Sequence, residues 1–134
     1  MEKVPMNTRD GEQLASKDPH SHHPVATNWR PTLREVVRRL AGRDFALQGI
    51  TSVEPVSAAT AAQIEAYVAD YGETLIELPE EAWATSVAQW GGGFWDVFVD
   101  LWTAESGRSD MVLEVRVLEV EGGLRFHVHL VYVP

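Results

Sequence analysis

The sequence predicts an α+β domain, with two to three N-terminal helices packed on one face of a C-terminal antiparallel meander of at least three strands. Three observations carry this reading. The last third alternates apolar and polar residues with period two, in three runs. The preceding part places apolar residues at helical spacing behind capping signals. The two regimes meet at Gly91-Gly92-Gly93.

Residues 1–28 are polar, contain Pro5, Pro19 and Pro24, and show no periodicity. They are expected to form a disordered tail, leaving 29–134 as a single domain. The tail carries His20, His22 and His23. Clustered imidazoles bind divalent metals, but a flexible tail supplies no fixed geometry, so solvated histidines and no metal site are expected.

A first helix is predicted from Pro31, a residue suited to the first turn, with Thr32 and Glu35 at capping-box spacing. Leu33, Val36, Val37 and Leu40 make its apolar face, and Gly42 its stop. Arg34 and Arg38 lie one turn apart on another face, expected to pair with the acidic body. Residues 43–56 connect, tucking Phe45, Leu47 and Ile50 into the core. Ser57 caps a second helix, with Val56 as staple, the stripe Ile64, Tyr67, Val68 and Tyr71, and Gly72 as terminator.

Thr74 to Leu78 reads as a short strand. Pro79, Glu80 and Glu81 then open a third, short helix, with Trp83, Val87 and Trp90 on one face as core. The three glycines lack the Lys-Ser/Thr of a phosphate loop and serve as a helix-to-strand joint.

The meander comprises Phe94 to Thr103, Asp110 to Val120, and Leu124 to Val133. The core sides are Trp95, Val97, Val99 and Leu101; Met111, Leu113, Val115 and Val117; and Leu124, Phe126, Val128, Leu130 and Tyr132. Matching these sides pairs Val97 with Val115 and Val99 with Leu113, although a slip of two residues satisfies the pattern equally well. With Gly122-Gly123 as the hairpin turn, Val117 pairs with Val128 and Val115 with Leu130.

That register puts Asp96, Arg116 and His129 in one row on the opposite face. Carboxylate, guanidinium and imidazole together suit acid/base work; a cross-strand ion-pair ladder is the simpler account. Phe98, Trp102, Val112, Leu118 and Val131 make the face too apolar for plain solvent, so a partner, a second subunit or a ligand is expected on it. Arg108, in the loop Gly107-Arg108-Ser109-Asp110, is a candidate anion clamp, with turn chemistry the default.

Several classes are disfavoured. The longest apolar run, Phe94 to Trp102, is broken by Asp96 and Asp100, so no membrane contact is expected. The absence of cysteine and of an N-terminal apolar segment fits a cytoplasmic protein. Net charge is −9. Residues 1–43 hold eight Lys/Arg against five acids, and residues 44–134 hold three Arg against fifteen acids. So acidic a body repels phosphate backbones and attracts a basic partner, so no nucleic-acid binding is expected. No metalloprotease helix, nucleophile elbow or dinucleotide fingerprint is present, and no cofactor is implied.

The runs Phe94-Trp95-Asp96-Val97-Phe98-Val99-Asp100-Leu101-Trp102-Thr103, Glu105-Ser106-Gly107-Arg108-Ser109-Asp110 and His129-Leu130-Val131-Tyr132-Val133-Pro134 resemble an uncharacterised family of small bacterial domains. The resemblance begins at the first helix and carries no established activity. Short, acidic, rich in Trp and free of Cys, the chain is also similar in character to immunity proteins of bacterial toxin systems. Its layout is similar to cone-shaped domains of the nuclear-transport-factor-2-like kind.

The leading expectation is a non-enzymatic domain that binds a basic protein partner, in its most concrete form an immunity or antitoxin-type protein. Asp96, Phe98, Asp100, Trp102 and Arg108 are its expected contacts. The second reading is a ligand-binding or enzymatic pocket between sheet and helices, using Asp96 and His129 as acid/base groups with Arg116 or Arg108 holding an anion. The third is a homodimer joined through the second sheet face.

Overall fold

A computed structural model describes residues 12–134. Helix α1, Arg30–Ala41, follows a 3-10 turn at Thr27–Trp29 and carries Pro31 in its first turn. Its face Leu33, Val36, Val37 and Leu40 is buried, as the spacing requires. The expected capping box does not form. Trp29 occupies the cap without a side-chain bond, and Glu35 instead accepts from Arg38 and Arg39. The chain leaves the helix through Arg43 at φ 65°, while Gly42 keeps an ordinary negative φ. Helix α2, Ala58–Tyr71, is capped by Ser57, whose hydroxyl accepts from the Thr60 N–H at 3.1 Å, and it ends at left-handed Gly72. Ile64 is buried, but Tyr67 is 42% exposed, so the stripe is narrower than its apolar letters suggest.

The sheet has five antiparallel strands in chain order: β1 His23–Pro24, β2 Val87–Trp90, β3 Trp95–Thr103, β4 Gly107–Val120 and β5 Gly123–Tyr132. Trp95, Val97, Val99 and Leu101 of β3 and Met111, Leu113, Val115 and Val117 of β4 join one buried cluster with the apolar faces of α1 and α2. Each fully buried Val or Leu there contributes about 1.5–3 kcal/mol. Among the described residues, no helix is long and apolar enough to cross a membrane.

The third helix is corrected. Glu80–Ala84 forms only a 3-10 turn behind Pro79, and Val87–Trp90 is strand β2, paired with β3. The Ser86 hydroxyl ends the turn: it donates to the Ala82 carbonyl at 2.8 Å and accepts from the Asp100 N–H at 3.0 Å. The glycines then make a hairpin turn, closed by Gly91 N–H to the Phe94 carbonyl at 2.7 Å. Thr74 to Leu78 makes only a single bridge, Leu75 with Thr103.

The tail is corrected for residues 12–28, and residues 1–11 lie outside the described residues. Val25 and Ala26 are fully buried, and His23–Pro24 pairs with β2. Residues 12–19 form a strap over three tryptophans. The Trp95 indole N–H donates to the Ser16 carbonyl at 2.8 Å, and the Gln89 side chain donates to the Pro19 carbonyl at 3.1 Å. Trp29 and Trp90 pack against Trp95 at 4.9 and 4.7 Å between ring centroids.

The β3–β4 register is the expected one, with Val97 opposite Val115 and Val99 opposite Leu113. The β4–β5 register is corrected by two residues. The turn is Glu121-Gly122, closed by the pair Val120 and Gly123, so Val117 faces Phe126 and Val115 faces Val128. A bulge follows: Val115 faces Val128 but Glu114 faces Leu130, which leaves His129 as the extra residue. The bulge inverts the alternation. Val131, expected outside, is fully buried beside Leu113, while Leu130 and Tyr132, expected inside, are half-buried.

Both sheet edges are closed to further strands. The Phe126 N–H donates to the Ser52 carbonyl at 2.8 Å, its carbonyl accepts from Glu54, and the Gln63 side chain donates to the Val131 carbonyl at 2.8 Å. At the other edge β1 is two residues long and ends in proline.

Candidate functional site

The even-numbered residues of β3 and β4 form the second, open face of the sheet. Three of its rows follow from the register. Gln89, Asp96, Arg116 and His127 make the first. Val87, Phe98, Glu114 and Leu130 make the second. Asp100, Val112 and Tyr132 make the third. Trp102 lies beyond, opposite Arg108, where the β3–β4 pairing shifts its register. Phe98, Asp100 and Trp102 are half-buried, and Arg108 is exposed.

Asp96 and Arg116 meet as the sequence suggests, with Arg116 Nε 3.3 Å from Asp96 Oδ1. The guanidinium also lies 3.8 Å from the centroid of the Phe94 ring, a cation–π contact that the spacing search missed. Phe94 precedes β3 by one residue and shares the parity of Asp96, and that is the signal that points to it. His129 is not in this row. The two-residue difference in the β4–β5 register puts His127 opposite Arg116, and the bulge leaves His129 unpaired further along β5. The predicted Asp96–Arg116–His129 row is therefore corrected to Asp96–Arg116–His127.

Asp100 accepts a hydrogen bond from the Thr85 hydroxyl at 2.5 Å. Glu114 lies between Phe98 and Leu130. The Tyr132 phenol is held above its usual range, first by burial and then by the charge of Glu114.

Four cavities, of about 470, 350, 290 and 200 Å³, lie elsewhere, and none is lined by Asp96, Arg108, Arg116, His127 or His129. Asp96 is on the open face, so it cannot line a pocket under the helices, as the second reading requires. The 470 Å³ cleft runs between the strap, Trp29, Trp95 and the β4–β5 hairpin.

The tail histidines are fixed in part. Asp18 accepts from the His20 N–H at 2.9 Å and lies 3.0 Å from His23 Nε2; the first contact, then the second, holds its carboxyl below the usual value. Among the described residues, no three His, Asp or Glu side chains converge as a metal site. Of the two arginines expected to pair with the acidic body, Arg34 does so through Glu80, whereas Arg38 pairs with Glu35 on its own helix. Arg39 pairs with Glu35 and Asp44, and Arg43, just past α1, with Glu65 at 3.8 Å. Such exposed pairs contribute about 0–1 kcal/mol each, but they leave α1 without a free cationic face.

A family model described as a domain of unknown function, DUF7668, matches residues 37–134. No curated protein and no solved structure matches the chain.

Proposed function

The chain belongs to the DUF7668 family of domains of unknown function, and we propose that it is a non-enzymatic protein-binding domain whose open sheet face receives a basic partner. One observation supports this above the others. Strand β3 presents Asp96, Phe98, Asp100 and Trp102 side by side, and none of these four residues lines any of the cavities described above. Aromatic anchors flanked by carboxylates suit a protein surface of opposite charge, with the charge steering encounter and the rings supplying affinity. The excess of acids in residues 44–134 favours the same kind of partner. In its most concrete form the partner is a basic toxin and the chain its immunity or antitoxin-type protein, encoded beside it in a bacterial genome.

The test uses the partner purified from a co-expressed neighbouring gene. Trp102→Ala is expected to weaken the complex by about 2 kcal/mol or more, the scale of an aromatic hot spot, in isothermal titration calorimetry. His129→Ala is expected to change it far less, because no proton has to move. The reverse order, with a catalysed reaction lost on removing His129, would favour the enzymatic reading. Self-association that disappears in Trp102→Ala, measured by sedimentation, would favour the homodimer.

A further inference from the structure

The centre of the open face holds a carboxylate without a counter-ion. Glu114 lies directly opposite Phe98 on β3 and Leu130 on β5, and is half-buried. Of its fellow acids, Asp96 is engaged by Arg116 and Asp100 by the Thr85 hydroxyl, while Asp110, near the start of β4, is exposed rather than set among side chains. Among the described residues, Glu114 makes no hydrogen bond and no ion pair. The cation nearest along its strand, Arg116, is turned toward the other end of the face, held there by Asp96 at 3.3 Å and by the Phe94 ring at 3.8 Å.

This arrangement has a clear cost once anything covers the face. A carboxylate that loses its remaining water without a partner is strongly destabilised, whereas one that meets a cation is not. An apolar partner surface is therefore rejected at this spot, and a cationic one is accepted. The surroundings suit a cation as well. Phe98 flanks Glu114 on one side, and Tyr132 lies close enough for the carboxylate to oppose its ionisation.

We propose that Glu114 is the seat for a lysine or arginine side chain of the partner, with the rings of Phe98 and Tyr132 beside the bound cation. This assignment rests on the open face being the partner-binding surface and adds to it the chemical group that docks at its centre. Because Glu114 is a single charge in an apolar frame, it selects by position: a basic partner must present one cation in register with the aromatic contacts of Phe98 and Trp102.

The experiment is an amide-shift titration of the full chain with the peptide Gly-Arg-Gly-Arg-Gly, with its citrulline counterpart as the uncharged control. It is run in dilute salt, so that screening does not mask a single charge pair. The expected result is saturable shifts centred on Glu114, Phe98 and Leu130 with the arginine peptide and none with citrulline. Glu114→Gln is expected to reduce the affinity at least about threefold. Glu121→Gln, which removes the same charge from the exposed hairpin turn, is expected to reduce it by less than half as much. An equal loss in both variants would mean that net charge alone acts, and would overturn the proposal. Shifts centred on another acidic region, or no shifts, would overturn it too. If Trp102→Ala weakens the purified complex while Glu114→Gln leaves it intact, the cation seat fails and the binding face stands.

Discussion

Strands β3 and β4 each present two faces, and the two are built on different rules. The inward side is apolar apart from the buried hydroxyls of Thr103 and Ser109, and it excludes solvent almost fully at Val97, Val99, Leu113 and Val115. The outward side mixes rings, carboxylates and a guanidinium with Val112 and Leu118, half-buried from Asp96 to Trp102 on β3 and from Val112 to Leu118 on β4. Inward, affinity for the core depends on volume and apolar area, so many residues are interchangeable and a charge is not. Outward, each residue is judged by its cross-strand neighbour, as Asp96 is by Arg116. A sheet can therefore take its stability from one side and keep the other for recognition.

Val115→Asp tests this division most severely. It places an unpaired charge in the cluster and is expected to cost more than about 4 kcal/mol, enough to unfold a domain of ordinary stability. Arg125→Ala is the counterpart beyond the core. Its ion pair with Glu54 is largely solvated, so a change within about 0.5–1 kcal/mol is expected in urea denaturation. Equal effects would break the face assignment.

Deleting residues 1–28 asks how far the inward side extends. The deletion removes buried Val25 and Ala26, strand β1 and the carbonyl partner of the Trp95 indole. A loss of about 2–4 kcal/mol is expected, read as a lower melting temperature. An unchanged melting temperature would show that the strap adds nothing to the core.

The finest test is the ionisation of Tyr132 on the outward side. Its folded value is raised, chiefly by burial and then by Glu114. For an acid raised in the folded state, the stabilising effect is complete below the unfolded value and is lost as pH rises through the folded one. Absorbance titration is expected to show one of the three tyrosines ionising late. Glu114→Gln should bring it only part of the way back, since burial remains. A full return would mean that charge, not burial, sets the shift.

The elements that were legible in the sequence are those whose pattern repeats long enough to fix which side faces the core, though not a slip of two residues. The match of Val97 with Val115 runs through several residues of alternation on both strands, and slipping it by one would expose the whole inward set. Strand β2 was not legible. Four residues between Ser86 and Gly91 are too few to show a period, and the spacing of Trp83, Val87 and Trp90 happens to match a helix. His129 misled for a different reason: alternation fixes which side a residue takes but not the register, and the β4–β5 hairpin pairs two residues away from the expected match. Residues 12–19 were illegible because they dock through main-chain carbonyls of Ser16 and Pro19, which ask for no particular side chain. The candidate face was legible as far as β3 and β4 reach; the place of the imidazole was not.

The tryptophan cluster under the strap also gives the molecule an optical signature. Three of its five indoles stack within 4.9 Å of a neighbour, and the central one is bonded to the strap. Rings held this close in fixed orientations give strong near-ultraviolet dichroism, which vanishes when packing is lost even if the backbone is retained. Attachment of the strap can thus be followed without any label, by comparing that band with the far-ultraviolet signal of the sheet as denaturant is added. A near-ultraviolet change that precedes the far-ultraviolet one would mark the strap as a separately opening part of the domain.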